Sequence, residues 1–391
     1  MRFRVDRDAL ADAVAWSARS LPSRPAFPLL AGLMISVDDS TLTVSGFDYE
    51  VSTEAALDAA TDAAGRVLVS GRLLAEITRS LPAQPVEMHT DGARAVLTCG
   101  SARFELPTMA VADYPELPVM PTLAGKIGSD VFGAAVASVV VAAGRDDTLP
   151  VLTGVKLTIS GDQLTLAATD RYRLAIRTLP WEPADDLGTA TALVPARTLA
   201  ESAKALTGGA HVSIAFEGSA DMAGKADMAR VAEGTVGGNG LVGSGLIGFE
   251  GSRRRTTTRL LDGDFPKYQS LLPSESAATA RLEKAALVEA VRRVALVAQR
   301  TAPVRLSFDT SEVTLEAGGV DEAQATESLA AAYEGEAMTI AFNPSFLLDG
   351  LGALDSDDVT LAFTTPTKPA VLTGKDPEIY RYLLMPVRLT G

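Results

Sequence analysis

The sequence repeats itself at the length of a domain. Pro28-Leu29-Leu30-Ala31-Gly32 returns as Pro150-Val151-Leu152-Thr153-Gly154, 122 positions further on (32 to 154). At the same spacing and without a gap, Leu42-Thr43-Val44 falls on Leu164-Thr165-Leu166, and Asp48 falls on Asp170. A third, weaker copy reads Val313-Thr314-Leu315, with the strand-like run Val304-Arg305-Leu306-Ser307-Phe308. Solenoid units have periods of roughly 20–50 residues, so this period is too long for one. Each copy is large enough to be a domain in its own right. The 391 residues are expected to form three related domains, at 1–122, 123–276 and 277–391.

Each copy has the same order of elements. A helix comes first, expected over Asp8 to Ser20, Ser129 to Ala143 and Glu283 to Arg300, with Asp8 and Ser129 as N-caps. Alternating strands follow, such as Leu33 to Val37 with Leu42 to Ser45, and Val155 to Ile159 with Leu164 to Ala168. A second helix is expected over Gly71 to Leu81, Ala196 to Leu206 and Pro344 to Leu354. Ser70 and Asn343 are placed to cap, and Pro344 suits a first helical turn. Strands close each copy, with Ala95-Val96-Leu97-Thr98 echoed by Ala370-Val371-Leu372-Thr373. Two helices and two strand groups per domain give an α+β fold, with helices covering one face of an antiparallel sheet. Tyr114-Pro115 to Pro121 and Phe265-Pro266 to Ser274 read as the linkers.

Composition narrows the function. Hydrophobic residues make up 47% and charged ones 21%, enough for several packed cores and little for long disorder. A net charge of −14 argues against a simple basic nucleic-acid binder. Cys99 is the only cysteine, so no intrachain disulfide can form, which suits a reducing cytoplasm. The longest apolar run, Val131 to Ala143, is shorter than a bilayer span and contains Gly133 and Ser138, so no membrane association is expected.

Catalytic and cofactor patterns are weak. Gly238 to Gly243 and Gly243 to Gly248 both match G-x-G-x-x-G, inside a Gly-rich stretch from Ala232 to Gly248. That pattern binds dinucleotides only between a strand and a helix, and no helical period follows here. Gly218 to Lys225 has the wrong spacing for a P-loop. His89 and His211 stand alone, without metal-ligand spacing. Asp146-Asp147, Asp185-Asp186 and Asp357-Asp358 sit in turn-like contexts, where carboxylates usually cap or stay solvated. No cofactor, metal or catalytic residue is expected; the pattern is that of a binder.

Two segments suggest what is bound. Ala168-Thr169-Asp170-Arg171-Tyr172-Arg173-Leu174 follows a strand and is dense in functional side chains, although an ordinary turn around Asp170 would use the same residues. The chain also ends on Tyr382-Leu383-Leu384-Met385-Pro386-Val387-Arg388-Leu389, far more apolar than most termini. Together with Arg24-Pro25, Pro28-Leu29-Leu30, Asp264-Phe265-Pro266-Lys267-Tyr268 and Phe342-Asn343, these segments resemble the bacterial sliding clamps, the beta subunit of DNA polymerase III. The resemblance runs from Arg2-Phe3 to Leu389. Gly46-Phe47-Asp48-Tyr49-Glu50 and Ala143 to Pro150 look like the actinobacterial branch.

The resemblance implies three copies of one domain, and two chains closed head to tail into a ring around duplex DNA, with helices lining the hole. It implies DNA contact at Arg24 and Arg145 in loops, and at Arg72, Arg79, Arg197 and Lys204 on the inner helices. Arg72 and Arg79 share a helical face, as do Arg197 and Lys204, though Glu76 and Glu201 interrupt both. Such mixed faces make loose, sequence-blind phosphate contacts; solvated amphipathic helices have the same pattern. It further implies a groove for short peptides of polymerases and clamp-loader subunits, carried over onto Leu152, Thr169, Arg171, Tyr172, Arg173, Leu174, Pro266, Leu271, Asn343, Phe346, Met385, Pro386, Val387 and Arg388. Phe104 and Leu296 are implied at the dimer interface. The chain departs from the enterobacterial pattern at Arg171-Tyr172, where that pattern has Gly-His, and at Ser270, where it has Arg, so peptide preference is expected to differ. A peptide-binding adaptor without the ring and a nucleotide-dependent enzyme using the Gly-rich stretch are the alternatives.

Overall fold

The computed structural model describes all residues except 23, 185–188, 217–244, 274, 299–301, 320–322 and 389–391. Six α-helices are present among them: α1 (Arg7–Ser17), α2 (Gly71–Ser80), α3 (Ser129–Val140), α4 (Ala196–Ala205), α5 (Lys284–Val294) and α6 (Pro344–Ala353). Two fall in each expected domain. None of the described helices is long and apolar enough to cross a membrane.

Local chemistry sets the helix ends. Asp6, rather than the expected Asp8, caps α1, its Oδ1 accepting the N–H groups of Asp8 (3.0 Å) and Ala9 (2.9 Å). The strand Arg2–Val5 ends one residue earlier, so the first free amides fall within reach of Asp6. Ser70 makes no capping bond. Ser129 does not precede its helix but begins it, and its hydroxyl donates to the Gly209 carbonyl. Asn343 does cap α6, accepting from Ser345 and Phe346, with Pro344 at the first position. The first and fifth helices are shorter than expected. Each runs 11 residues and then tightens into a three-residue 3-10 turn, Ala18–Ser20 after α1 and Ala295–Val297 after α5.

The chain forms two compact units, one of Met1–Asp130, Pro183–Asp185 and Glu201–Leu260, the other of Val131–Glu182, Asp186–Ala200 and Leu261–Gly391. In the first, a long antiparallel sheet runs Leu123–Gly128, His211–Phe216, Leu246–Gly251, Arg254–Arg259, Val51–Asp58, Thr41–Phe47, Gly32–Asp38, Gly65–Ser70, and on through Ala102–Met109 and Arg94–Cys99. Leu10 and Val14 of α1 and Leu74 and Ile77 of α2 bury against Ile35, Val44 and Leu97 of that sheet. Leu246-Ile247-Gly248, the end of the second G-x-G-x-x-G match, belongs to a strand, so that match lacks the helix a pyrophosphate needs. The first match, the P-loop-like segment and the Asp185-Asp186 pair lie outside the described residues.

The second unit holds two sheets. One runs Thr189–Pro195, Gly154–Ser160, Gln163–Thr169, Arg173–Pro180, Tyr380–Leu384, Ala370–Thr373, Asp358–Phe363, Ala278–Glu283 and Ala332–Glu334; the other runs Ala325–Ala330, Glu312–Ala317, Val304–Asp309 and Met338–Phe342. The repeat is present at the level of register. Ile35 pairs with Val44, Leu157 with Leu166 and Leu306 with Leu315, the same position in three hairpins.

Candidate functional site

All fourteen groove positions lie in the second unit. The strands Gln163–Thr169 and Arg173–Pro180 are joined by a turn that Asp170 organises. Its Oδ1 accepts the N–H groups of Tyr172 and Arg173, both at 3.0 Å, while the Thr169 hydroxyl donates to the Arg173 carbonyl at 2.7 Å. This winding forces Arg171 to φ 78°, a left-handed conformation that costs a non-glycine residue about 1 kcal/mol. Arg171→Gly is therefore expected to stabilise the fold by about 0.5–1 kcal/mol in urea titration, and Arg171→Val to destabilise it by a similar amount. Equal midpoints for all three chains would contradict the strain.

Arg173 is the anchor of the site. It is only 6% exposed, and its Nε donates to Asp170 (2.9 Å) while Nη1 donates to Asp349 of α6 (2.5 Å). Its guanidinium lies 4.3 Å from the centre of the Phe346 ring, a cation–π contact. Burial would lower its pKa, but the Tyr382 hydroxyl, Asp349 and Asp170 outweigh that and raise it, so the side chain stays charged. Tyr172, 58% exposed, stacks on Phe346 from outside with ring centres 6.2 Å apart. Behind them the Tyr382 ring is fully buried and its hydroxyl donates to the Phe346 carbonyl at 2.8 Å. A Cβ at Gly350 would stand 2.4 Å from that ring, so α6 accepts a helix-weakening glycine where the ring must pass.

The chain end lies alongside. Regular strand stops at Leu384, and Met385 to Arg388 continue without strand pairing, held by Met385 N–H to the Tyr172 carbonyl and Val387 N–H to the Ala341 carbonyl, both 2.8 Å. Met385, Val387 and Arg388 are exposed and Pro386 is half-buried. Leu389 lies outside the described residues. Leu174 is buried, in a cluster with Ile176, Phe265, Tyr268 and Leu383 that also takes in Val151, so it forms the floor rather than the lining. That cluster ties in the neighbours of Leu152, which is half-buried, and of Pro266 and Leu271, which are exposed. Asn343 is committed to capping.

Of the positions expected near phosphate, Arg24, Arg72, Arg79, Arg145, Arg197 and Lys204 are all exposed, and none is ion-paired among the described residues. Arg145 and Arg197 line one cavity of about 480 Å³ with Thr153 and Thr198 at the start of α4. Glu201, which breaks the expected basic face, is held by Arg19 at 2.9 Å. Leu296 is 84% exposed on the turn after α5. Phe104 is half-buried on Ala102–Met109, a strand that meets Gly65–Ser70 only at Thr108 and Met109.

Sequence reasoning missed Asp349, Tyr382 and Gly350. Only the three-residue spacing of Phe346 and Asp349, one helical turn, hinted that both face Arg173. The arrangement is an exposed apolar surface with fixed backbone and one locked cation; among its described residues it presents no activated nucleophile or free acid–base pair. Among the described residues no group of three or more His, Cys, Asp or Glu is placed to hold a metal ion.

Family models match in sequence along the chain: DNA polymerase III beta subunit N-terminal domain at 1–118, central domain at 126–267 and C-terminal domain at 269–388. The chain is 53% identical over 397 residues to the beta sliding clamp of Streptomyces coelicolor, covering all of both chains. It is 43% identical over 394 residues to the beta sliding clamp homolog GriR of Streptomyces muensis, covering 99% of each. The crystal structure of the Bacillus subtilis DNA polymerase sliding clamp superposes with a TM-score of 0.88 over the full length of both chains, at 24% identity, a likeness of fold.

Proposed function

The chain belongs to the DNA polymerase III beta subunit family, the bacterial beta sliding clamps, and from that membership we propose how its surfaces work. It is a non-catalytic processivity subunit of DNA replication. Two copies close head to tail around duplex DNA, and each copy tethers the replicative polymerase. The three domains divide at 1–122, 123–276 and 277–391, and the protein acts in the cytoplasm. A free-standing adaptor or a nucleotide-dependent enzyme is not favoured.

One observation carries the DNA side of this reading: in a chain of net charge −14, six exposed cations at the implied positions have no carboxylate partner among the described residues. An acidic exterior repels nucleic acid, and unpaired cations on one set of elements attract phosphate only where the ring brings it near. The trough around Tyr172, Phe346 and Met385 to Arg388 takes short peptides of polymerase and clamp-loader subunits. Its apolar surface holds leucine or phenylalanine anchors, each contributing about 1.5–3 kcal/mol when buried.

A short linear duplex should bind weakly and lose affinity steeply with salt, whatever its sequence. Arg145→Ala with Arg197→Ala should lower the salt slope by about 1–2. Nanomolar, sequence-selective binding to the linear duplex would contradict the reading.

A further inference from the structure

The apolar surface of the second unit carries an accessible sulfur. Met385 is 41% exposed, in the same segment as Val387 at 36% and against the turn that bears Tyr172 at 58%. The other described methionines are covered: Met88 is fully buried, and Met1, Met34, Met109, Met120 and Met338 are half-buried. Met1 packs against the large core of the first unit, and Met34 and Met109 against the cluster of Phe47, Leu68 and Tyr114. Cys99 is 1% exposed, and its thiol donates to the Pro82 and Gln84 carbonyls at 3.3 and 3.2 Å. Met222 and Met228 lie outside the described residues. Sulfur oxidation follows exposure, so Met385 is the first described sulfur that a peroxide meets.

Its position makes that reaction consequential. The Met385 N–H donates to the Tyr172 carbonyl at 2.8 Å, which ties the residue to the turn whose tyrosine ring stacks on Phe346. The fixed donors nearby are spent or missing. Arg173 is held by Asp170 and Asp349, the Val387 N–H by the Ala341 carbonyl, and Pro386 has no N–H. A thioether is flexible, polarizable and apolar, and can adapt to anchors of different shape. A sulfoxide is polar. Its oxygen would take its hydrogen bonds from water, and an apolar anchor settling on the surface would strip that water away without replacing it.

We propose that Met385 is a modification site, and that oxidation of its thioether to the sulfoxide by hydrogen peroxide closes this surface to apolar peptides. The proposal rests on the peptide-binding reading of the surface. In the reaction the sulfur gives up two electrons and gains an S–O bond, the peroxide O–O bond breaks, and water leaves. Methionine sulfoxide reductases, one for each sulfoxide epimer, remove the oxygen as water while a dithiol is oxidised to a disulfide, so the change is reversible.

Treating the full chain with hydrogen peroxide, and then removing the peroxide, tests this. The tryptic peptide Tyr382–Arg388 holds Met385 and no other methionine. Mass mapping should show it gaining one oxygen before the peptides that hold the other described methionines. Calorimetry with acetyl-Gln-Leu-Ala-Leu-Phe, which has no sulfur, should then show affinity at least tenfold weaker than before treatment, with unchanged far-ultraviolet circular dichroism. The two reductases with dithiothreitol should restore it. In Met385→Leu, compared only with its own untreated form, peroxide should not change the affinity. The proposal is overturned if Met385 is not the first of these methionines to oxidise, or if the oxidised chain binds as tightly as the untreated one. It is equally overturned if Met385→Leu loses as much affinity on treatment as the parent, which would move the effect to another sulfur. Absence of peptide binding in the untreated parent is a separate result: it removes the peptide-binding reading of the surface, and this proposal with it.

Discussion

A chain carrying both Phe104→Asp and Leu296→Asp should sediment and scatter light as a monomer of 40.7 kDa at low micromolar concentration, where the parent chain runs at twice that mass. Leu296 projects from the turn after α5 into solvent, a placement a lone unit gains nothing from. At the same step of the first repeat, after α1, stands Arg19, which is charged and ion-paired. The strand bearing Phe104 is unpaired along one side from Ala102 to Pro107 among the described residues, and Ala325–Ala330 is the outer strand of its own sheet. Exposed strand edges invite pairing with another chain. One edge in each unit lets a twofold axis close two equal interfaces. Burying Leu296 is worth about 1.5–3 kcal/mol per interface, and an unpaired buried aspartate costs about 3–5 kcal/mol, so the dissociation constant should rise by at least about a thousandfold. An unchanged dimer would place the interface elsewhere.

Removal of everything after Leu384 should leave the dimer intact and abolish peptide binding. The truncation takes away the apolar surface of Met385 and Val387 and the two backbone bonds that fix the chain end to Tyr172 and Ala341. It spares Leu383, Leu384 and the Tyr382 hydroxyl bond that supports Phe346. Peptides of the type Gln-Leu-x-Leu-Phe should bind the full chain with a dissociation constant near micromolar, about −8 kcal/mol. Calorimetry on the truncated chain should show at least a hundredfold loss, about 2.7 kcal/mol. Undiminished affinity would remove the chain end from the site.

What could be read from the sequence was whatever is local or repeated. The gapless match of Asp48 to Asp170 foretold one turn used twice. Asp48 accepts from Glu50 and Val51 as Asp170 does from Tyr172 and Arg173, and Tyr49 takes φ 75° where Arg171 takes 78°. Alternation located the hairpins, and Asn343-Pro344 located a helix start. The rest depended on tertiary partners. Arg173 meets Asp349 across 176 positions, and no local period signals such a pair. Asp8 was expected to cap α1 and Asp6 does so, since the choice turns on where the preceding strand stops. The early end of α5 was hidden because Ala295-Leu296-Val297 continues the helical pattern even as the chain tightens out of it. Leu174 was carried over as a groove position and is buried, a matter of strand face that only the packing of Phe265 and Tyr268 decides.

The ring is tested most directly by topology. The protein should be assembled on a nicked circular duplex with a clamp loader, freed of unbound chains by gel filtration, and followed before and after the circle is cut once. Encirclement predicts that the protein stays with the circle through moderate salt and leaves when the DNA is linearised, sliding off free ends. Equal retention on circular and linear DNA, or loss from both at the same salt concentration, would mean that the chain holds DNA by contact alone.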